Sequence, residues 1–319
     1  MKTKSVITGF FVAFATAMSF AAVSAQIPNE RDKQKVRTVT VPISIYTKQE
    51  LKTGQAEEYI QADRLIVKED KDEQTILSIR SVTNTPLSLA VLIQDDLTSN
   101  FNLQIPDIAR YIKSLPKGTR VMVAYIRGGS LDIRQKFTDD LEKAAKSMRI
   151  VSGSAVSSGN GPFGGTLDAL GRFDGLPGGR RAILLVSDGL DASQGITSFG
   201  PSQSVDLDRA ISKAQKRSVA VYSFYSPTSL TESGSGSVVL SAQGALQRIS
   251  AETGGRAFFQ GSIAPVSFAP FFKELAILIS RQFALTYLST HMKKGYHKVE
   301  ISSTNPEVKI EHPRGYYYR

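Results

Sequence analysis

The chain has 319 residues, no cysteine and no tryptophan, and its 39 basic and 29 acidic side chains give a formal charge of +10. Without cysteine there are no disulfides, thiolate-ligated zinc or thiol nucleophiles, so a packed apolar core must hold the fold. The basic excess favours anionic partners in general, but acids and bases are interspersed and no run of five or more like charges occurs, so no nucleic-acid partner is expected.

Lys2 and Lys4 precede an apolar run from Val6 to about Val23, and Val23-Ser24-Ala25 stands before Gln26. A charged start, a greasy middle and a small-residue exit describe a secretory signal peptide over residues 1–25. The alternative is an uncleaved anchor, because the run is nearly long enough to span a bilayer. With the leader cleaved, no integral span is expected. The protein is then periplasmic, held in the cell envelope or extracellular.

Residues 26–35 are polar and charged and read as a flexible start. From Val36 to Ile45 the chain alternates, with Val39, Val41, Ile43 and Ile45 on one face of a half-buried strand. Leu65 to Val67 and Thr75 to Ile79 are further strands around the charged loop Lys68 to Glu73, so residues 26–86 form a small antiparallel β segment. After Pro86 come continuous apolar runs at Leu87–Ile93, Val121–Ile126, Ala182–Val186 and Val219–Phe224. Such runs belong to strands buried on both faces of a parallel sheet.

Helices separate the runs, at about Pro106–Leu115, from an N-cap near Asp139, and at Leu167–Phe173, Leu207–Arg217 and Ala242–Thr253. Thr253-Gly254-Gly255 closes the last of these, Arg256–Phe259 is a short strand, and Val266–Ser280 is a helix. Phe258, Phe259, Phe268, Phe271 and Phe272 read as core. Phe283–Leu288, His297–Ser302 and Val308–His312 are strands, with Tyr316–Tyr318 at a sheet edge. The expected fold is α/β, a doubly wound, mostly parallel sheet over residues 87–282. Antiparallel β segments from both termini flank it, residues 283–319 packing with 36–86.

In an open α/β sheet, ligands bind beyond the carboxyl ends of the strands. Three segments there carry oxygen donors: Gln94-Asp95-Asp96-Leu97-Thr98-Ser99-Asn100, Gly164-Gly165-Thr166-Leu167-Asp168, and Ser187-Asp188-Gly189. Carboxylates and hydroxyls from several loops can assemble an all-oxygen site for a hard cation. Gly159–Gly164 lacks the Gly-Lys-Ser/Thr ending of a phosphate loop, and no Gly-x-Ser-x-Gly elbow occurs. His291, His297 and His312 are loosely spaced and read as surface residues. No catalytic and no cofactor-binding residue is assigned, and the chain is expected not to be an enzyme. Asp191 reads as a helix-cap acid, and Ser233–Ser237 as a flexible surface loop.

These segments together resemble the von Willebrand factor A family and its metal-ion-dependent adhesion site. That site takes Asp-x-Ser-x-Ser after the first strand, a Thr ahead of a helix and Asp-Gly after the fourth strand. Gly165-Thr166-Leu167 is similar to the Thr segment, and Ile183–Gly189 to the fourth strand with its Asp-Gly. The β lead-in at Leu65–Asp70, Thr253-Gly254-Gly255 and the tail Arg314-Gly315-Tyr316 extend the resemblance to the VWFA-related domain proteins of acidobacteria, over roughly residues 36–319.

The first segment departs from the family pattern. One register puts Gln94, Asp96 and Thr98 in the Asp and two Ser positions; the other uses Asp96, Thr98 and Asn100. A slide to Asp95 fails, because Leu97 then falls at a ligand position. Both workable registers keep Asp96 and Thr98, so the resemblance implies a metal site of Asp96, Thr98, Thr166 and Asp188 for Mg²⁺ or Mn²⁺, the ion completing its shell with an acidic side chain of a protein partner. The function implied is an exported, non-enzymatic binding or adhesion module. The alternative is a metal-free structural or assembly protein of the cell envelope with a degenerate site and no cofactor.

Overall fold

The computed structural model describes residues 35–53, 65–153, 161–191, 204–261 and 265–318. Its elements lie within one compact unit, Val36–Arg319. The apolar leader with its cleavage site, the polar start up to residue 34, and residues 154–160 of the Ser/Gly stretch 151–165 lie outside the described residues.

In chain order the elements are β1 (Arg37–Thr47), α1 (Lys48–Thr53), β2 (Leu65–Glu69), β3 (Asp72–Ser81), β4 (Leu87–Gln94), α2 (Ile105–Ser114), β5 (Arg120–Arg127), β6 (Ser130–Thr138), α3 (Leu141–Lys146) and α4 (Pro162–Gly171). Then follow β7 (Arg180–Ser187), α5 (Val205–Arg217), β8 (Val219–Tyr225), α6 (Ser229–Glu232), α7 (Gly236–Thr253), β9 (Ala257–Phe258), α8 (Ala269–Ser280), β10 (Gln282–Ser289), β11 (Gly295–Ser303), β12 (Val308–Glu311) and β13 (Gly315–Tyr318).

Two sheets organise these elements. The first has the order β6-β5-β4-β7-β8-β9. Counted from β4, that is the 3-2-1-4-5-6 order of a doubly wound fold, with its topological switch point between β4 and β7. The strands β5, β4, β7, β8 and β9 run parallel, and β6 runs antiparallel to β5. All of β4 is buried. Leu89, Val91 and Ile93 pack toward Ile108 and Ile112 of α2, Ala144 of α3 and Leu275 of α8. Ala90 and Leu92 pack on the other face with Leu170 of α4, Ala210 of α5 and Leu246 of α7. Burial on both faces explains why the strand is apolar at nearly every position.

The second sheet has the order β12-β1-β10-β3-β2-β11-β13, and all its pairings are antiparallel. A mostly parallel arrangement therefore describes only the first sheet. The antiparallel sheet buries one face around Val41, Ile43, Val67, Leu285, Tyr287 and Ile301. Strands from both ends of the chain interleave in it, β10 lying between β1 and β3.

Several local readings shift. β6 was not anticipated: its Leu131, Ile133 and Phe137 alternate behind a Gly128-Gly129 turn with both φ positive, a two-residue hairpin connection. The cap of α3 is Asp140, whose side chain accepts from Lys143 N. The helix α7 starts at Gly236, so the Ser233–Ser237 loop is shorter than its composition suggests. Phe258, Phe268 and Phe272 are buried, but Phe259 is exposed.

A buried ion pair joins the sheets. Glu50 of α1 is fully buried; its Oε2 accepts from Thr47 N at 2.7 Å and its Oε1 from the Arg281 guanidinium, with Arg281 Nε at 2.8 Å. Arg281 sits between α8 and β10. Glu50→Ala would leave a half-buried guanidinium without this carboxylate, and the expected loss is about 3 kcal/mol or more in urea unfolding. A loss below about 1 kcal/mol would place the pair in the class of weak surface bridges.

Candidate metal site at the sheet edge

The switch point brings the end of β4 against the end of β7. Gln94 is buried, and its Oε1 accepts from Ser187 Oγ at 2.5 Å and from Asp188 N at 3.2 Å. Ser187 Oγ in turn accepts from Gly189 N at 2.8 Å. Gly189 has φ 77°, and a Cβ there would overlap Ala242 O and Leu246 of α7, so the Asp-Gly step needs its glycine.

Asp188 is 1% exposed. Its Oδ2 accepts from Thr228 Oγ1 at 2.7 Å and its Oδ1 from Leu190 N at 3.0 Å. Thr228 caps α6 in a reciprocal capping box with Thr231. It also bridges Leu97, and Thr98 N donates to Pro227 O at 3.0 Å. The β4, β7 and β8 ends are thus laced together. Sequence reasoning missed Thr228, although it stands beyond the carboxyl end of a sheet strand in a Thr-x-x-Thr cap.

Asp95 has a different role. Arg149 grips it with Nη1 at 2.6 Å and Nη2 at 3.0 Å, and the same guanidinium lies over the Tyr125 ring at 4.1 Å. That forked pair neutralises Asp95. Among the described residues, no cationic side chain offsets Asp96 or Asp188 in this way. Burial pushes the Asp188 carboxyl up to about 6 and the Asp96 charge adds to the rise, against hydrogen bonds from Thr228, the Leu190 amide and Gln94. Burial likewise raises Asp96, Asp95 adding, while a hydrogen bond from Gln94 and its own amide oppose.

Gln94, Asp96 and Asp188 therefore come together. Thr98 Oγ1 is buried without a hydrogen-bond partner among the described residues. Thr166 is fully buried in the second turn of α4, and its Oγ1 donates to Pro162 O at 2.9 Å. A hydroxyl that gives its proton to a carbonyl keeps its lone pairs. Two carboxylates made hard to ionise by burial, an orphaned hydroxyl and all-oxygen chemistry fit a hard divalent cation. The neutral Gln94, at the end of β4 with its carbonyl taken by Ser187 and Asp188 N, lowers the charge such a site can offer. Asp191 accepts from Ser204 Oγ, the cap of α5, at 2.5 Å.

The histidines are not the surface residues expected. His297 is buried and His291 and His312 are partly buried, all within or beside the antiparallel sheet.

The pH dependence follows from the raised Asp188 carboxyl. The folded protein retains a proton that the unfolded chain releases between about pH 4 and pH 6, so in chelator this group makes stability fall as pH rises through that window. Asp188→Asn removes the effect and is expected to gain roughly 3 kcal/mol over the native chain at pH 7 and little at pH 4. Chemical denaturation at the two pH values checks this, and an equal effect at both would contradict it.

No protein-family model and no curated protein matches the sequence. Among solved structures, the chain is similar to an aerotolerance-related membrane protein from Bacteroides fragilis with multiple mutations to serines. The identity is 15% over 61% of this chain and 98% of that one, with TM-score 0.42. It is similar to a von Willebrand factor type A protein from Catenulispora acidiphila at 11% identity, covering 82% of this chain and 75% of that one, TM-score 0.38. A manganese-loaded TRAP protein from Plasmodium vivax matches at 13% identity over 74% of this chain and 97% of that one, TM-score 0.39. The 3-2-1-4-5-6 strand order makes the α/β part of the chain a doubly wound fold.

Proposed function

We propose that this chain is a non-enzymatic binding module that engages a protein partner through the loops at the carboxyl edge of the six-stranded sheet, with a divalent cation as part of the contact. The observation that carries the reading is the pair Asp96 and Asp188, both made harder to ionise by burial; two positions after Asp96, the Thr98 hydroxyl is buried with no hydrogen-bond partner among the described residues. Asp96, Thr98, Thr166 and Asp188 would hold Mg²⁺ or Mn²⁺. The ion would supply positive charge at the edge and a coordination position for an acidic side chain of the partner. Thr228 orients the Asp188 carboxylate, and Arg149 keeps Asp95 out of the site. Export of the mature chain and an adhesive role belong to this proposal; the sequence of residues 1–25 supports export. Among the described residues, no helix is long and apolar enough to cross a membrane. The narrower likeness to acidobacterial VWFA-related proteins rests on sequence alone.

One observation favours a second reading, a metal-free structural or assembly protein of the envelope. Gln94 uses its carbonyl to tie β4 to β7, a link that needs no ion.

Calorimetric titration of Mg²⁺ and Mn²⁺ into chelator-stripped protein separates the two. Saturable binding that is lost in Asp188→Asn and in Asp96→Ala is the expected result. Heats no larger than dilution, in native protein and variants alike, would favour the metal-free scaffold.

A further inference from the structure

The antiparallel sheet gathers a second set of metal-binding side chains. Asp70 lies in the turn between β2 and β3, His291 in the connection from β10 to β11, and His297 in β11. One donor atom from each lies within 4.8 Å of the others.

The hydrogen bonding of His297 is the first argument. This ring is 4% exposed, and its Nε2 stands 2.6 Å from Lys293 O. A carbonyl only accepts, so Nε2 carries the proton. Nδ1 then faces Asp70 Oδ2 at 2.8 Å and Glu69 Oε1 at 3.3 Å. Glu69 Oε1 also accepts from Arg37 Nη2 at 3.3 Å and from the Tyr316 hydroxyl at 2.6 Å, but a ring lone pair against Asp70 Oδ2 is repulsive unless a positive charge sits between them. A second ring proton or a metal ion can supply that charge. His291 stands beside it, its ring centre 6.0 Å from that of His297 and its Nδ1 3.9 Å from Asp70 Oδ2, so an ion there would find a second nitrogen donor. Two neutral imidazoles and a carboxylate are a familiar donor set, and a backbone carbonyl on the far nitrogen is how ligating histidines are commonly oriented.

The surroundings form a built site. Asp70 Oδ1 accepts from Lys298 N at 2.8 Å, leaving Oδ2 toward the histidines. Asp70 and Lys71 have φ 49° and 82°, so the turn holds two non-glycine residues in the left-handed region. Arg37 Nε donates to His291 O at 2.8 Å. His291 Nε2 is buried 3.2 Å from Asp72 Oδ2 yet makes no hydrogen bond, and Glu69, fully buried, has its Oε2 unpartnered.

We propose that Asp70, His291 and His297 bind a first-row transition-metal ion of the zinc class, with a further position open to water. Nitrogen and oxygen donors suit Zn²⁺, Co²⁺ and Ni²⁺ better than Mg²⁺. Tetrahedral bonds of zinc length put donors about 3.3 Å apart. The 2.8 and 3.9 Å separations from Asp70 Oδ2 to the two Nδ1 atoms bracket that value. The ion would clamp the β2–β3 turn to the β10–β11 connection.

The test is titration of tag-free, chelator-stripped protein with Zn²⁺ by calorimetry and with Co²⁺ by visible absorption. One saturable equivalent with the absorption bands of a nitrogen-ligated ion is expected, beyond whatever the all-oxygen sheet edge binds. His291→Gln and Asp70→Asn should each weaken it by more than about 100-fold. Asp188→Asn should leave it unchanged, which separates this site from the sheet edge. His291 is only partly buried, so its variant keeps the test open if substitution of His297 prevents folding. No saturable binding, or binding unchanged in His291→Gln, would overturn the proposal.

Discussion

The arrangement at the sheet edge depends on one constraint: Asp188 is a carboxylate at the end of a buried parallel strand, with only neutral donors, the Thr228 hydroxyl, the Leu190 amide and Gln94, for its hydrogen bonds. It cannot reach water, because Gly189 presses the turn onto α7 and Thr228 closes it from the β8 side. A buried carboxylate without a countercharge is unfavourable, and the raised proton affinity of Asp188 measures how unfavourable. Neighbouring elements adjust around that strain. Gln94 brings a neutral amide where a further carboxylate would worsen the repulsion, and Arg149 removes Asp95 from the balance.

Strand order explains why this edge, among all the surfaces of the molecule, gathers such groups. At the switch between β4 and β7 the connections leave in opposite directions, and the two strand ends open a crevice. Apolar burial on both faces of β4 fixes the register, so Gln94 arrives beside Ser187. The antiparallel sheet follows a different logic. It is assembled from both ends of the chain and tied to the α/β part through Glu50 and Arg281.

Much of this was legible in the sequence. The apolar runs from Leu87, Val121, Ala182 and Val219 announce β4, β5, β7 and β8 because strands buried on both faces tolerate little else. The alternation from Val39 to Ile45 announces β1. β6 was less visible because it lies at a sheet edge and mixes charges into its alternation. At the sheet edge, Asp96 and Asp188 entered through the resemblance to the adhesion-site pattern, and the structure sets their charges close enough to interact. Two other participants were not legible. Arg149 meets Asp95 across 54 positions of chain, and the burial of His297 arises from the β2–β3 turn folding over a strand more than 200 positions away. Such pairings come from tertiary structure and leave no local pattern.

The central claim is that the edge carboxylates hold a divalent cation. Anomalous diffraction from crystals grown with Mn²⁺ tests it most directly. The account predicts a peak within bonding distance of Asp96, Thr98 and Asp188. Featureless density there, with Asp188 still engaged by Thr228 and the Leu190 amide, would contradict it and leave Gln94 as the tie of a metal-free scaffold.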